Sequence, residues 1–300
     1  MGEAQESRLF DSEFFAGLSR LTLVMKKKPR MGMNGGRKSS AKGSSVEFSD
    51  FREYLLGDDL RYIDWNAYGR LNKLFVKLFM EEKEGIFHIL LDASASMTYG
   101  KDRKARQLAA MLAYMAIQNL DRVYVSFLHA DGRVQTTRGL TGRRAFKELL
   151  FQLERMEFYG ETNLYESARQ LNFHGQGMTI ILSDFFDYSD KEELLRFLVY
   201  KKQETVLLQL LSEEEREPSF LGNSNLIDEE TGKELRLTMS GQAKREYKRS
   251  LDKMEDTLGR LAVHYQAVYL TCIAEKEPEQ ILMELTRGGG KGRKEGGSKR

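Results

Sequence analysis

The chain has 300 residues, 41% hydrophobic and 31% charged, which is enough apolar side chain for one large core or two modest ones. Its 47 Lys+Arg nearly balance 45 Asp+Glu at a net charge of +2, so bulk charge does not point to nucleic acid and any basic character is local. A single cysteine, Cys272, excludes an internal disulfide framework and a cysteine-rich zinc site.

Cys272 lies in the apolar run 267–273, where it reads as a small buried hydrophobe suited to a reducing compartment. No run approaches the roughly 18–20 apolar residues that cross a bilayer. Glu3, Glu6, Asp11 and Glu13 precede or interrupt the first apolar stretch, unlike a signal peptide. A soluble, cytoplasmic protein is expected.

Three zones follow one another. Residues 1–85 form an N-terminal extension. It opens with Leu9, Phe10, Phe14, Phe15, Leu18 and Leu21 at helical spacing, predicting one helix capped at Asp11 or Ser12. The basic, small-residue stretch 26–43 reads as a loop or disordered segment. A contact with anionic lipid or RNA is the alternative, but no aromatic residue interleaves the charges. No nucleic-acid partner is therefore expected, and peripheral membrane contact has no further support. The charged and aromatic stretch 47–65 follows, then a strand-like run at 73–80.

Residues 86–287 alternate strand and helix patterns. Strands are expected at 86–91, 123–128, 132–136, 178–183, 205–211 and 264–273. Helices are expected at 103–120, 143–155, 164–171, 191–200 and 242–261. This alternation implies an α/β fold with a largely parallel sheet flanked by helices. The tight turn at Asp131-Gly132 makes the third strand an antiparallel member near an edge. An acidic insertion, 213–234, is expected to form a hairpin around 229–232. The third zone, 288–300, is Gly, Lys and Arg without apolar residues and reads as a disordered tail.

In an open parallel sheet, ligands bind beyond the carboxyl ends of the strands. The first strand of this series ends in Asp92-Ala-Ser94-Ala-Ser96, the loop 159–164 carries Thr162, and the strand 178–183 runs into Asp184. Side chains two apart in an extended loop project the same way, so Asp92, Ser94 and Ser96 form a shared set of hard oxygens. Such a set suits Mg2+ or Mn2+. Asp92 and Asp184 only balance a dication, which leaves the ion able to take an external carboxylate. Each residue also has a purely structural reading: Ser94 and Ser96 as turn or cap residues, Thr162 as a cap of the helix at Asn163, Asp184 as a partner of its own loop.

The order Asp-x-Ser-x-Ser, Gly-x-Thr-Asn, Ser-Asp resembles the metal-ion-dependent adhesion site of the von Willebrand factor A domain, a three-layer, Rossmann-type fold. Upstream, Ser45-Val-Glu-Phe48, Phe51-Arg-Glu-Tyr54, Gly57-Asp-Asp-Leu-Arg61, Ile63-Asp-Trp65 and Val76-Lys-Leu-Phe79 resemble the bacterial family catalogued as domain of unknown function 58. The resemblance spans about residues 8–275. It implies metal ligation by Asp92, Ser94, Ser96, Thr162 and Asp184, and adaptor work beside a MoxR-type AAA+ ATPase in the assembly or activation of other proteins. Leu56 stands where the family usually has proline, and Glu161 where a second glycine is commoner. The stretch 57–65 lies outside the A domain. Asp58, Asp59 and Asp64 with Arg52, Arg61 and Arg70 are expected to form a buried ion-pair network, and Trp65 to pack.

Enzyme readings fare less well. No dinucleotide fingerprint or phosphate loop follows a strand, and no nucleophile elbow surrounds a serine. Ser94 occupies the position where an Asp-x-Asp phosphotransferase would place its second carboxylate. A non-enzymatic, metal-dependent protein-interaction module is expected. The alternatives are a hydrolase or phosphatase using Asp92 and Asp184, and a membrane or nucleic-acid scaffold using the basic segments.

Overall fold

A computed structural model describes residues 9–27, 46–81, 84–129, 132–218, 222–227, 234–239 and 241–286. In chain order the elements are α1 (Ser12–Lys27), β1 (Val46–Glu53), α2 (Trp65–Leu71), β2 (Phe75–Glu81), β3 (Ile86–Asp92), α3 (Asp102–Gln118), β4 (Arg122–Leu128), β5 (Val134–Thr136), α4 (Gly142–Glu154), α5 (Leu164–Arg169), β6 (Gly177–Ser183), α6 (Lys191–Tyr200), β7 (Gln203–Leu211), α7 (Glu213–Arg216), β8 (Gly222–Ile227), β9 (Glu234–Met239), α8 (Gly241–His264), β10 (Val268–Ile273) and α9 (Pro278–Thr286). The chain divides into two units: Pro29–Glu84, and Met1–Lys28 together with Gly85–Arg300.

The larger unit is built on a six-stranded sheet in the order β10-β7-β6-β3-β4-β5. Five strands are parallel, and β5 runs antiparallel to β4 at the edge, as the turn before it predicts. From β3 the chain steps outward to β4 and β5, then returns to the other side of β3 as β6. The switch point therefore lies between β3 and β6. Nearly continuous apolar runs in β3, β6 and β7 are what a sheet covered on both faces demands, and Leu90, Ile181 and Leu207 are all buried.

One face packs against α5, α6 and α8 through Leu164, Leu194, Leu195, Leu198 and Leu258. On α3, alanines at 105, 109, 110 and 113 are fully buried beside Leu108 and Met111. That helix is covered more widely than one stripe requires because α1, α4 and α9 all lean on it. Asp11 caps α1, accepting from the Phe14 N–H at 2.9 Å, and Phe14, Leu18 and Leu21 turn inward. Arg20 pairs with Glu279 on α9 at 2.5 Å, and Arg103 on α3 pairs with Asp11 at 3.1 Å. The opening helix thus belongs to the larger unit, although the sequence places it in the N-terminal extension.

Three helices went unpredicted: α2, α7 and α9. α9 has Pro278 at its first position, where a missing N–H costs nothing. α7 is a single turn started by a capping box between Ser212 and Glu215. The expected hairpin appears as β8 paired antiparallel with β9. Its turn at 229–232, the basic stretch 28–43 and the tail 288–300 lie outside the described residues.

In the smaller unit β1 pairs antiparallel with β2, with a register shift between Phe48 and Asp50. The three aspartates of 57–65 organise local backbone. Asp58 clamps Arg52 (2.6 and 2.8 Å) and the Leu55 N–H, Asp59 caps the 3-10 turn Leu60–Tyr62, and Asp64 caps α2 through the N–H groups of Asn66 and Ala67. The expected buried network is corrected: Arg52–Asp58, Arg61–Asp59 and Lys77–Asp64 are separate pairs, mostly half-exposed, and Arg70 joins none of them. Trp65 is also corrected, standing 64% exposed at the start of α2 with Tyr68 edge-on to it. A residue spent on starting a helix at a surface turn has no core within reach.

Candidate functional site at the carboxyl ends of β3 and β6

Asp92 closes β3 and Asp184 follows β6, so the switch point brings both carboxylates to one end of the sheet. Both are 1% exposed. Ser183 ties the two strands together. Its Oγ donates to Asp92 Oδ2 at 2.5 Å and accepts the Phe185 N–H at 2.9 Å. Asp92 Oδ1 accepts the Ser94 N–H at 3.0 Å, which folds the loop back over the strand end. Ser94 makes no side-chain cap to the short 3-10 turn Ala95–Thr98; its Oγ lies 3.1 Å from Ser96 Oγ instead. The alternation in the sequence therefore delivers one carboxyl and two adjacent hydroxyls.

The loop carrying Thr162 is stitched onto the first loop. Tyr159 N–H donates to Ala93 O at 2.9 Å, and Ala95 N–H to Gly160 O at 2.8 Å. Thr162 Oγ1 donates to Leu128 O at 3.3 Å, the same carbonyl that accepts the Ala93 N–H at 3.0 Å. With its proton so committed, the hydroxyl keeps lone pairs available. Thr162 does not cap the next helix: Asn163 does, accepting the Glu166 N–H at 2.9 Å. Glu161 is exposed.

Asp184 is held from three directions. Its Oδ1 accepts the Phe186 N–H at 3.0 Å, so the reading as a partner of its own loop holds for that oxygen. Its carbonyl accepts Gln209 Nε2 at 3.0 Å, and Gln209 Oε1 in turn accepts the Tyr269 hydroxyl at 2.5 Å. Phe185 supports the turn with a φ of 61°, a left-handed conformation rare for a bulky side chain and costing about 1–2 kcal/mol. Burial of its ring beside Leu194 and Leu195 opposes that strain, which sits where β6 delivers Asp184.

Two further residues complete the site. Lys101, just before α3, has no exposed surface, and its Nζ donates to Asp184 Oδ2 at 2.8 Å and Glu215 Oε1 at 2.5 Å. Nothing in the run 101–104 distinguishes Lys101 from Arg103 or Lys104, because only the sheet brings it against β6. Glu215 is different: the Ser-x-x-Glu spacing at 212–215 is a readable capping box and would have located α7.

Burial and the neighbouring charge of Asp184 push the Asp92 carboxyl up to about 6, against hydrogen bonds from Ser183 and Ser94 that pull it down. Burial works against the Lys101 ammonium, but Asp184 and Glu215 outweigh it and hold its pKa above the ordinary lysine value. Among the described residues Asp92 pairs with no cation, and no group of three or more His, Cys, Asp or Glu is placed to hold a metal ion. An ion here would therefore lean on hydroxyls as well as carboxylates. A buried carboxyl without a counter-charge among the described residues, followed by the paired Ser94 and Ser96 hydroxyls and with Thr162 Oγ1 on the carbonyl that also holds the Ala93 N–H, fits a hard dication such as Mg2+ or Mn2+.

Elsewhere, Cys272 is buried and its thiol is pushed up to about 12 by desolvation, as expected of an inert core residue. No helix among the described residues is long and apolar enough to cross a membrane.

Comparison with known proteins gives two kinds of similarity. The uncharacterized protein Rv1480 of Mycobacterium tuberculosis and the uncharacterized protein Mb1516 of Mycobacterium bovis are each 24% identical over 231 residues, covering 74% of this chain and 73% of theirs. Among solved structures, the pilus adhesin SpaC of Lactobacillus rhamnosus GG aligns over 69% of this chain and 30% of its own, at 10% identity and a TM-score of 0.45. BatB from Bacteroides thetaiotaomicron aligns over 68% of this chain and 100% of its own, at 15% identity and a TM-score of 0.39. The SpRpn10 VWA domain aligns over 43% of this chain and 76% of its own, at 10% identity and a TM-score of 0.36. The profile of the family described as Protein of unknown function DUF58 matches residues 50–257. The chain belongs to that family, and its larger unit is an α/β domain on a mostly parallel six-stranded sheet.

Proposed function

We propose that the larger unit is a non-enzymatic, metal-dependent protein-interaction module that works in the cytoplasm as an adaptor for a MoxR-type AAA+ ATPase. The observation that carries the reading is the buried Asp92 carboxyl, which is hydrogen-bonded by Ser183 Oγ, acted on by the charge of Asp184, and without a cationic partner among the described residues. Asp92, Ser94, Ser96 and Thr162 would hold Mg2+ or Mn2+, with Asp184 beside them. Bound there, the ion supplies a positive centre able to take a carboxylate oxygen from a partner. The chain's residues do the remaining work. Ser183 orients Asp92, Gln209 and the Phe185 turn fix Asp184, and the pairing of the 93–95 and 159–160 loops keeps the hydroxyls in place.

The test is capture of the cognate ATPase by the purified full chain in Mg2+ and in chelator. Capture in Mg2+ that is lost in chelator, and lost in Asp92→Asn and Ser94→Ala with unchanged circular dichroism, is the expected result. Equal capture in chelator overturns the reading. Turnover of a phosphoester panel that disappears in Asp184→Asn would replace it with the hydrolase alternative.

A further inference from the structure

Lys101 has no role in the reading above, yet it is the most completely buried charge in the described chain. It links three elements that follow successive parts of the sheet: the start of α3, the residue after β6, and α7 beyond β7. Glu215 is fixed in turn, since its Oε2 accepts the Ser212 N–H at 2.8 Å while its own N–H donates to Ser212 Oγ at 3.2 Å. Its carbonyl accepts the Tyr247 hydroxyl from α8 at 2.8 Å. Both carboxylate oxygens of Glu215 are thereby committed, one to the backbone and one to Lys101.

Charge explains the arrangement. Asp184 and Glu215 each lie within hydrogen-bond distance of one ammonium, so the charge of Glu215 stands close to Asp184, which itself acts on Asp92. Three carboxylate charges, those of Asp92 and Asp184 at the ion and that of Glu215 nearby, outweigh a dication and repel an acidic partner. Lys101 cancels one of them.

We propose that Lys101 sets the charge of the metal site, its ammonium offsetting Glu215 so that the dication-loaded site is neutral and accepts a partner's carboxylate. This rests on the metal-dependent reading above and adds to it a residue that determines both ion affinity and ligand sign. A purely structural ion pair would leave the intrinsic affinity for the ion unchanged. A charge-setting pair moves it in opposite directions when either member is removed.

The experiment titrates Mn2+ alone into the full chain, followed by electron paramagnetic resonance, for the native protein, Lys101→Met, Glu215→Gln and the double variant. A unit charge a few ångströms from the ion in a partly desolvated site is expected to shift affinity by about tenfold or more. Lys101→Met should bind Mn2+ about tenfold tighter and Glu215→Gln about tenfold weaker. The double variant restores the native charge and should lie within about threefold of native. Equal affinity in all four, or weakening in both single variants, overturns the proposal and leaves the metal reading standing. If Lys101→Met does not fold, Glu215→Gln against the double variant isolates Lys101, and equal affinity there overturns the proposal as well. No Mn2+ binding by any of the four removes the metal reading, and this proposal with it.

Discussion

His88 shows how much a single side chain can constrain the conditions under which this protein stays folded. It lies within β3, 1% exposed, stacked on Tyr124 at 5.1 Å and tilted against Phe173 at 4.9 Å. Its Nε2 is buried without a hydrogen-bond partner. Burial first, and the nearby His174 second, lower its pKa from 6.5 to about 4. The folded state therefore refuses a proton that the unfolded state takes up below pH 6.5. Stability is unaffected above that value, falls as pH drops from 6.5 toward 4, and loses nothing more from this group below 4. Between pH 7 and pH 4.5 the native chain should lose about 2–3 kcal/mol more than His88→Phe, which keeps the ring and removes the titration. Urea unfolding at the two pH values measures this, and equal losses would exclude His88 as the source. The same logic of burial against partner separates His88 from Lys101, whose two carboxylates keep its charge in an equally dry place.

At the level of elements, the approach of β6 to β3 decides whether the site assembles. Gly177 begins β6, and a Cβ there would stand 2.5 Å from the carbonyl oxygen of Ile86 on β3. Backbone cannot swing aside as a side chain can, so Gly177→Ala must push the strands apart at the end opposite the site. The expected cost is about 1–3 kcal/mol in chemical unfolding. An unchanged midpoint would mean that the sheet yields there freely. The helices follow a similar rule: Gly17 on α1 faces the Glu279 side chain on α9, where a Cβ would overlap the carboxylate that Arg20 holds. Most elements were readable because each carries its own period. β3 and β7 are apolar runs between turns, α3 repeats its apolar residues at helical spacing, and Asp11 precedes α1 as a capping acid should. α2, α7 and α9 were missed because one to two turns of helix give too little periodicity to register, although the Asp64 cap, the capping box and Pro278 were there to be read.

For the molecule as a whole, the metal-dependent reading makes a thermodynamic claim. An ion that binds only the folded chain adds about 2.7 kcal/mol at a concentration of 100 times its dissociation constant. Saturating Mg2+ should therefore raise the melting temperature of the native chain by several degrees and leave Asp92→Asn unmoved. An equal rise in both would assign the effect to nonspecific binding. Much about this protein was determined by the sequence alone. Alternating strand and helix patterns specified the α/β sheet and its antiparallel edge, and local spacing placed Asp92, Ser94, Ser96, Thr162 and Asp184 at strand ends and in turn-like loops, where the structure has them. The tertiary structure alone decided what surrounds them. Burial of Lys101 between Asp184 and Glu215, the Gln209 support behind Asp184 and the exposure of Trp65 all join or separate residues far apart in the chain. Residue type and spacing carry information about neighbours along the backbone, whereas desolvation and charge pairing depend on which strand ends the sheet order brings together.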